Sequence, residues 1–101
     1  MRVLNFGSLN VDYVYHVDHI MLPGETQSST QRNVFAGGKG LNQSVALAKA
    51  GLQVCHAGQV GRDSDGEMLL RVLEKNGVDV SLINQIDGPC GHTFIQIDQN
   101  A

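Results

Sequence analysis

The sequence predicts an α/β protein in which helices cover a parallel sheet and a separate small β-sheet stands beside it. Three observations carry this. Two segments of helical composition, Leu41–Ala50 and the stretch that follows Ser64, are each entered through a glycine-containing loop and closed by a glycine, Gly51 and Gly77. Short apolar stretches stand before, between and after them, and strands separated by helices of this length imply right-handed crossovers and parallel pairing. Three further pieces, 11–17, 30–35 and 92–98, alternate apolar and polar residues, as a sheet with one wet face does.

In chain order, residues 2–9 are short, apolar-leaning and closed by Gly7-Ser8, which suits a buried strand entering a turn. From Asn10 to Val17, Val11, Tyr13, Tyr15 and Val17 point one way and Asn10, Asp12, Val14 and His16 the other, which reads as a half-exposed strand. Leu22-Pro23-Gly24 is a turn, and the polar run from Gln27 to Arg32 leads into a return strand ending near Phe35. Ala36-Gly37-Gly38-Lys39-Gly40 precedes the first helix, and Gln53–Val60 follows as a strand. Asp63 or Ser64 can cap the second helix, acids fill its first turn, and Met68, Leu69, Val72 and Leu73 make its apolar stripe. Val78–Ile86 and His92–Asp98 are strands separated by the turn Asp87–Gly91.

A chain of 101 residues holds one core, and 42% hydrophobic residues with 12 Gly are enough to pack it, which excludes disorder for most of the length. Seven Lys and Arg, scattered between Arg2 and Lys75, against ten Asp and Glu leave a net charge of -3 and exclude an electrostatic nucleic-acid footprint. With 5% aromatics and no Trp, a base-stacking surface is excluded as well. No apolar run is long enough for a membrane span or a signal peptide, and the expected setting is the cytoplasm. Cys55 and Cys90, in no metal-ligand spacing with each other or with the four His, read as free buried thiols, so no metal site is expected.

The glycine loop is the most informative feature, because bare backbone lets a ligand approach and a helix start offers unpaired N–H groups. It is not a Walker A loop, which needs Gly where Asn33 stands and Ser or Thr where Gly40 stands. A Rossmann fingerprint starting at Gly38 fails at Gln43. Asn10 and Asp12 share one face of their strand just beyond the first core strand, where open α/β sheets bind ligands. With Asn42 they make a carboxylate and two carboxamides, a set suited to the hydroxyls of a polyol. Taken singly, each has a plainer reading: Asp12 as a turn cap, Asn42 as a helix-start residue.

The segments Gly7-Ser8-Leu9-Asn10-Val11-Asp12, Ala36-Gly37-Gly38-Lys39-Gly40-Leu41-Asn42-Gln43-Ser44 and Val60-Gly61-Arg62-Asp63-Ser64-Asp65-Gly66, in this order and spacing, resemble the ribokinase-like, or PfkB, carbohydrate kinases. Asn42-Gln43 is more similar to the ribokinases than to the phosphofructokinase branch. The resemblance implies a three-layer core with a parallel sheet and a β-sheet lid over a sugar site, the lid strands lying near 11–17, 30–35 and 92–98. It implies sugar contacts at Asn10, Asp12, Gly37, Gly38, Lys39 and Asn42, and ATP and Mg²⁺ as the cofactors of the complete enzyme. Lid strands in this family often form a dimer interface, so a homo-oligomer is expected.

The family's domain is about three times this length, and its Gly-Ala-Gly-Asp motif, which supplies the catalytic Asp and an anion hole, is absent from these residues. The expectation is therefore the N-terminal portion, residues 1–101, of one ribokinase-like domain, truncated after its βαβα part. It would hold sugar but bind no cofactor and transfer no phosphate alone. Asp63 and Asp65 read as first-turn acids. Two rivals stand beside this reading: a non-catalytic sugar-binding or oligomerising remnant, and an enzyme completed by a second polypeptide. Either way Val54, Val60 and Ile83 are expected near a cut face.

Overall fold

The computed structural model describes residues 1–100. Their elements run β1 (Arg2–Phe6), β2 (Asn10–His16), β3 (Gln31–Gly37), α1 (Lys39–Lys49), β4 (Gln53–Gly61), α2 (Ser64–Lys75), β5 (Asp79–Ile86) and β6 (His92–Ile97). The strands β1, β4 and β5 form a parallel sheet in that order, with Val3 beside Val54 and Asn5 beside His56. The second sheet has the order β3-β2-β6, antiparallel between β2 and β3 and parallel between β2 and β6. The α/β class, the parallel sheet and the separate small sheet are as the sequence predicts.

The second helix shows why these residues adopt these elements. Asp63 takes the cap position with extended backbone, and its carboxylate accepts the Gly66 N–H at 2.8 Å. Asp65 and Glu67 sit in the first turn and Lys75 in the last, matching the helix dipole. Those charges contribute about 0.3–1 kcal/mol each. Full burial of Leu69 and Leu73, both 0% exposed, contributes about 1.5–3 kcal/mol each and decides which face turns inward. Gly77 closes the helix at φ 79°, a left-handed conformation that any side chain would strain.

Both helices pack on one side of the parallel sheet, where Leu41, Val54, Val60, Leu69, Leu73 and Val78 form the core. The opposite side is open: Leu4 is 64% exposed, Phe6 83%, Leu82 53% and Ile86 41%. This corrects the expectation for Val54, Val60 and Ile83. The first two are 3% and 1% exposed and the third packs against the core, because strand alternation points them under the helices and sends Leu4, Phe6 and Leu82 the other way.

The small sheet departs from simple alternation too. Val11 and Val17 are buried on one face, and Val14 is buried on the other, flanked by its register partners Asn33 and Ile95. The Tyr13 face carries an aromatic cluster: Tyr13 stacks on Phe94 at 5.6 Å, and the Arg32 guanidinium lies 5.1 Å from the Tyr13 ring centroid. Tyr13 Oη donates to the Asp65 carboxylate, which anchors this sheet to the start of α2 and raises the phenol above its ordinary pKa. Asp65 is thus a link between the sheets as well as a first-turn acid.

Candidate functional site

The carboxyl ends of β1, β4 and β5 open into a depression of about 880 Å³ lined by Gly7, Ser8, Asn10, Gly58, Gly61 and Gly91, among others. At its edge the turn from β1 to β2 meets the start of α1. The side chains of Asn10 and Asp12, two apart on β2, share a face: Asn10 Nδ2 donates to Asp12 Oδ1 at 2.8 Å. The second Asn10 amide hydrogen goes to Thr93 Oγ1 at 2.9 Å. Both amide hydrogens are engaged, so toward a ligand Asn10 offers its carbonyl oxygen and Asp12 its carboxylate. Such a pair accepts from hydroxyls.

The third strand runs on to Gly37, two residues past the expected end near Phe35, and pairs Gly37 with Asn10. Glycine is a poor strand residue in isolation, but here a Cβ on Gly37 would lie 2.6 Å from Asp12 Oδ2. The bare backbone makes room for that carboxylate. Gly38 caps α1 at φ 97° and supplies no side-chain cap. Its missing Cβ clears the Ser8 carbonyl. Gly40 serves a third purpose, since its Cα packs directly on Gly7 and a Cβ there would meet Ser8 N at 2.5 Å and Gly7 Cα at 2.7 Å.

The expectation that the helix start holds free N–H groups is corrected in part. The Leu41 N–H donates to the Ser8 carbonyl at 3.1 Å, and the Gly40 N–H to Ser8 Oγ at 3.5 Å. Ser8 thus occupies donors that a ligand could otherwise have taken. Lys39 and Asn42 are exposed on the first turn of α1. Asn10, Asp12 and Gly37 are brought into one cluster, and Lys39 and Asn42 are tied to it through the backbone bonds of the Gly38–Leu41 segment.

Sequence reasoning missed Thr93 and Gly91. The polar residue at one end of an alternating strand carries no signal of its own, and Thr93 reaches Asn10 only because β6 pairs parallel to β2 across 83 positions. It also missed what holds the turn beyond Asp87 in place: Asp63 Oδ2 accepts the Cys90 N–H at 3.0 Å while Oδ1 caps α2. Those two backbone donors hold the Asp63 carboxyl below its ordinary pKa. Cys55 is a free, half-buried thiol and Cys90 a free, buried one.

Known proteins share this fold. The profile of the pfkB family carbohydrate kinases matches residues 2–101. The ribokinase of Haemophilus influenzae is 34% identical over 96 residues, covering 94% of this chain and 31% of its own length. A crystal structure of the ribokinase of Cryptococcus neoformans var. grubii serotype A in complex with ADP superposes with a TM-score of 0.90 at 40% identity, over 98% of this chain and 31% of that one. The ribokinase of Arabidopsis thaliana complexed with ribose and ATP superposes with a TM-score of 0.90 at 27% identity, over 97% of this chain and 32% of that one. The chain thus spans about a third of the length of these ribokinases, and with its match over residues 2–101 it belongs to the pfkB family of carbohydrate kinases.

Proposed function

We propose that this chain carries the sugar-holding part of a ribokinase-type site, as the N-terminal portion of one such domain. In this reading Asn10, Asp12, Gly37, Gly38, Lys39 and Asn42 hold a ribose-like sugar, and the small sheet of β2, β3 and β6 is its lid. The complete reaction is phosphoryl transfer from ATP to a sugar hydroxyl. One observation carries the reading: the acceptor pair Asn10 and Asp12, braced by Thr93, stands at the carboxyl end of β1 beside the glycine loop. The relatives named ribokinase support it, as does the Arabidopsis structure, which is complexed with ribose and ATP.

The sugar's hydroxyls would donate to Asp12 and to the Asn10 carbonyl oxygen, while the Lys39 ammonium would donate to a sugar oxygen. ATP supplies the phosphoryl group and Mg²⁺ the charge neutralisation for its transfer. In this reading neither group is held by these residues. Among the described residues no three His, Cys, Asp or Glu side chains gather at one point, and Gly-Ala-Gly-Asp does not occur in the sequence. The share of the reaction assigned to this chain is positioning.

The open sheet face supports a further part of the reading, that the chain associates with itself as a homo-oligomer or with other polypeptide. No helix of the described residues is long and apolar enough to cross a membrane. A cytoplasmic setting agrees with the two free thiols.

The test is a titration with D-ribose of the wild-type chain and of Asp12→Asn. A hydrogen bond to a charged group contributes about 1.5–3 kcal/mol net, so losing the charge should weaken ribose binding by about ten- to a hundredfold. Stability should shift by less than about 1 kcal/mol. Unchanged ribose affinity in a folded Asp12→Asn removes Asp12 from the site, and lost stability with unchanged affinity makes it a turn cap.

A further inference from the structure

Beneath the glycine loop lies a buried polar chain that the sugar contacts do not use. Asn5 on β1 and His56 on β4 are register partners on the helix-covered face of the sheet, and Ser44 faces them from α1. Ser44 and His56 are both 0% exposed in an otherwise apolar core. Asn5 Nδ2 donates to the Gly40 carbonyl and to Ser44 Oγ, both at 2.9 Å. Ser44 Oγ lies 2.6 Å from His56 Nδ1, and His56 Nε2 lies 3.0 Å from the Gly7 carbonyl.

For a neutral imidazole the chemistry of these groups assigns every proton. A carbonyl only accepts, so His56 carries its hydrogen on Nε2 and donates it to Gly7. The facing Nδ1 then accepts, so the Ser44 hydroxyl donates to it. Ser44 Oγ is left with lone pairs, one of which takes the Asn5 hydrogen. The amide of Asn5 cannot be turned over, because its oxygen would then face the Gly40 carbonyl. The chain of donation runs one way, from Asn5 through Ser44 and His56 to Gly7, and no buried side-chain nitrogen or oxygen among the described residues is left unpaired.

Its two ends are the point. Asn5 grips the Gly40 carbonyl and His56 grips the Gly7 carbonyl, and Gly7 and Gly40 are the two residues whose backbones touch where α1 meets the β1–β2 turn. We infer that Asn5, Ser44 and His56 are positioning residues that clamp the Gly7–Ser8 turn to the start of α1 and so set the placement of Asp12 relative to the Gly37–Gly40 loop. For sugar binding this role rests on the proposed sugar site. The clamp itself does not.

The experiment separates the two. Long-range ¹H–¹⁵N correlation spectra of the imidazole in the wild-type chain should show His56 protonated on Nε2. A proton on Nδ1 instead overturns the inference. In Ser44→Ala, and in the triple variant Asn5→Val/Ser44→Ala/His56→Phe, amide hydrogen exchange at Gly40 and Leu41 should accelerate about tenfold, while exchange at Leu69 and Leu73 in α2 stays as in wild type. The triple variant fills the same space with apolar groups and leaves no side-chain donor or acceptor of the chain unpaired, so that only the Gly7 and Gly40 carbonyls lose their side-chain partners. Unchanged exchange at Gly40 and Leu41 in either folded variant overturns the clamp. Acceleration of the same size across α2 overturns it as well, because the effect is then general stability. D-ribose binding should weaken about tenfold in both variants. If the wild-type chain binds no ribose, the sugar reading fails, and the clamp is still decided by the tautomer and the exchange pattern.

Discussion

Gly40→Ala tests the packing logic of the site most directly, because two effects of opposite sign compete. Gly40 lies inside α1, where Ala is favoured over Gly by about 1 kcal/mol. On helix propensity alone the variant is stabilised. The space forbids it: the added methyl would sit 2.5 Å from Ser8 N and 2.7 Å from Gly7 Cα, both backbone atoms that no rotamer change can move. The Gly7 carbonyl carbon lies closer still, and ordinary contact begins at 3.4 Å, so α1 has to withdraw from the β1–β2 turn by about 1 Å. Overpacking of this kind costs about 1–3 kcal/mol, and withdrawal also stretches the Leu41–Ser8 and Asn5–Gly40 hydrogen bonds, worth about 1 kcal/mol each. With the two stretched bonds only half lost, the losses exceed the propensity gain by about 2 kcal/mol, which for a domain of this size lowers Tm by about 8–16 °C. The same withdrawal moves Lys39 and Asn42 away from Asp12, so ribose affinity should fall together with stability. A thermal melt and a ribose titration on Gly40→Ala, with the exposed Gln43→Ala in the same helix as control, measure both. A Gly40→Ala protein as stable as wild type would refute the reasoning, because helix propensity would then outweigh the Gly7–Gly40 contact.

Three other outcomes are expected. The carboxyl of Asp63 titrates below its ordinary range, so its stabilising effect is present above about pH 3.9, its unfolded value, and is lost as pH falls through the lower folded value. Asp63→Asn should therefore be less stable than wild type at neutral pH yet lose less stability on acidification below about pH 5, and an unchanged acid limb in urea melts contradicts the pairing with Cys90 and Gly66. On the proposed division of labour the general base and the anion-hole donors lie outside these residues, so the 101-residue chain alone should show no sugar-dependent ATP turnover: without them the rate falls on the order of 10⁵-fold or more, and turnover at about 1–100 s⁻¹ in a coupled assay would contradict that division. The chain should sediment as a dimer or larger species at tens of micromolar, on the order of weak association. Phe6→Lys with Leu82→Lys should shift it toward monomer, and a compact wild-type monomer at that concentration counts against an association role for the open face.

The elements were legible because their punctuation is local. Gly51 at φ 94° and Gly77 at φ 79° end the helices where the sequence reading ends them, and Asp63 caps α2. The strands β2, β3 and β6 lie within one or two residues of their expected spans. The faces of the core strands were not legible. In β1 the side chains under the helices are Val3 and Asn5, while Leu4 and Phe6 face outward, so the more apolar pair marks the open side. A polar Asn5 and His56 on the buried side make sense only through a hydrogen-bond chain whose members are 39, 12 and 49 positions apart. At the site, Asn10 and Asp12 could be found because two residues apart on a strand share a face, and Thr93 could not, because it joins them only by long-range strand pairing.

That pairing also sets an order of events. The hairpin of β2 and β3 closes from neighbouring sequence, but its other edge is filled by β6, which arrives after both helices and both crossovers have been made. At about 5–20 residues per second of synthesis, the 83 positions between Asn10 and Thr93 correspond to roughly 4–17 s in which β2 waits with one row of backbone groups unpaired. Non-local closure of this kind is slow to form and leaves an edge available to other chains meanwhile. The nascent polypeptide is thus most open to wrong partners at the strand that bears Asp12, and the last strand to arrive both seals that edge and completes the hydrogen bonds of Asn10.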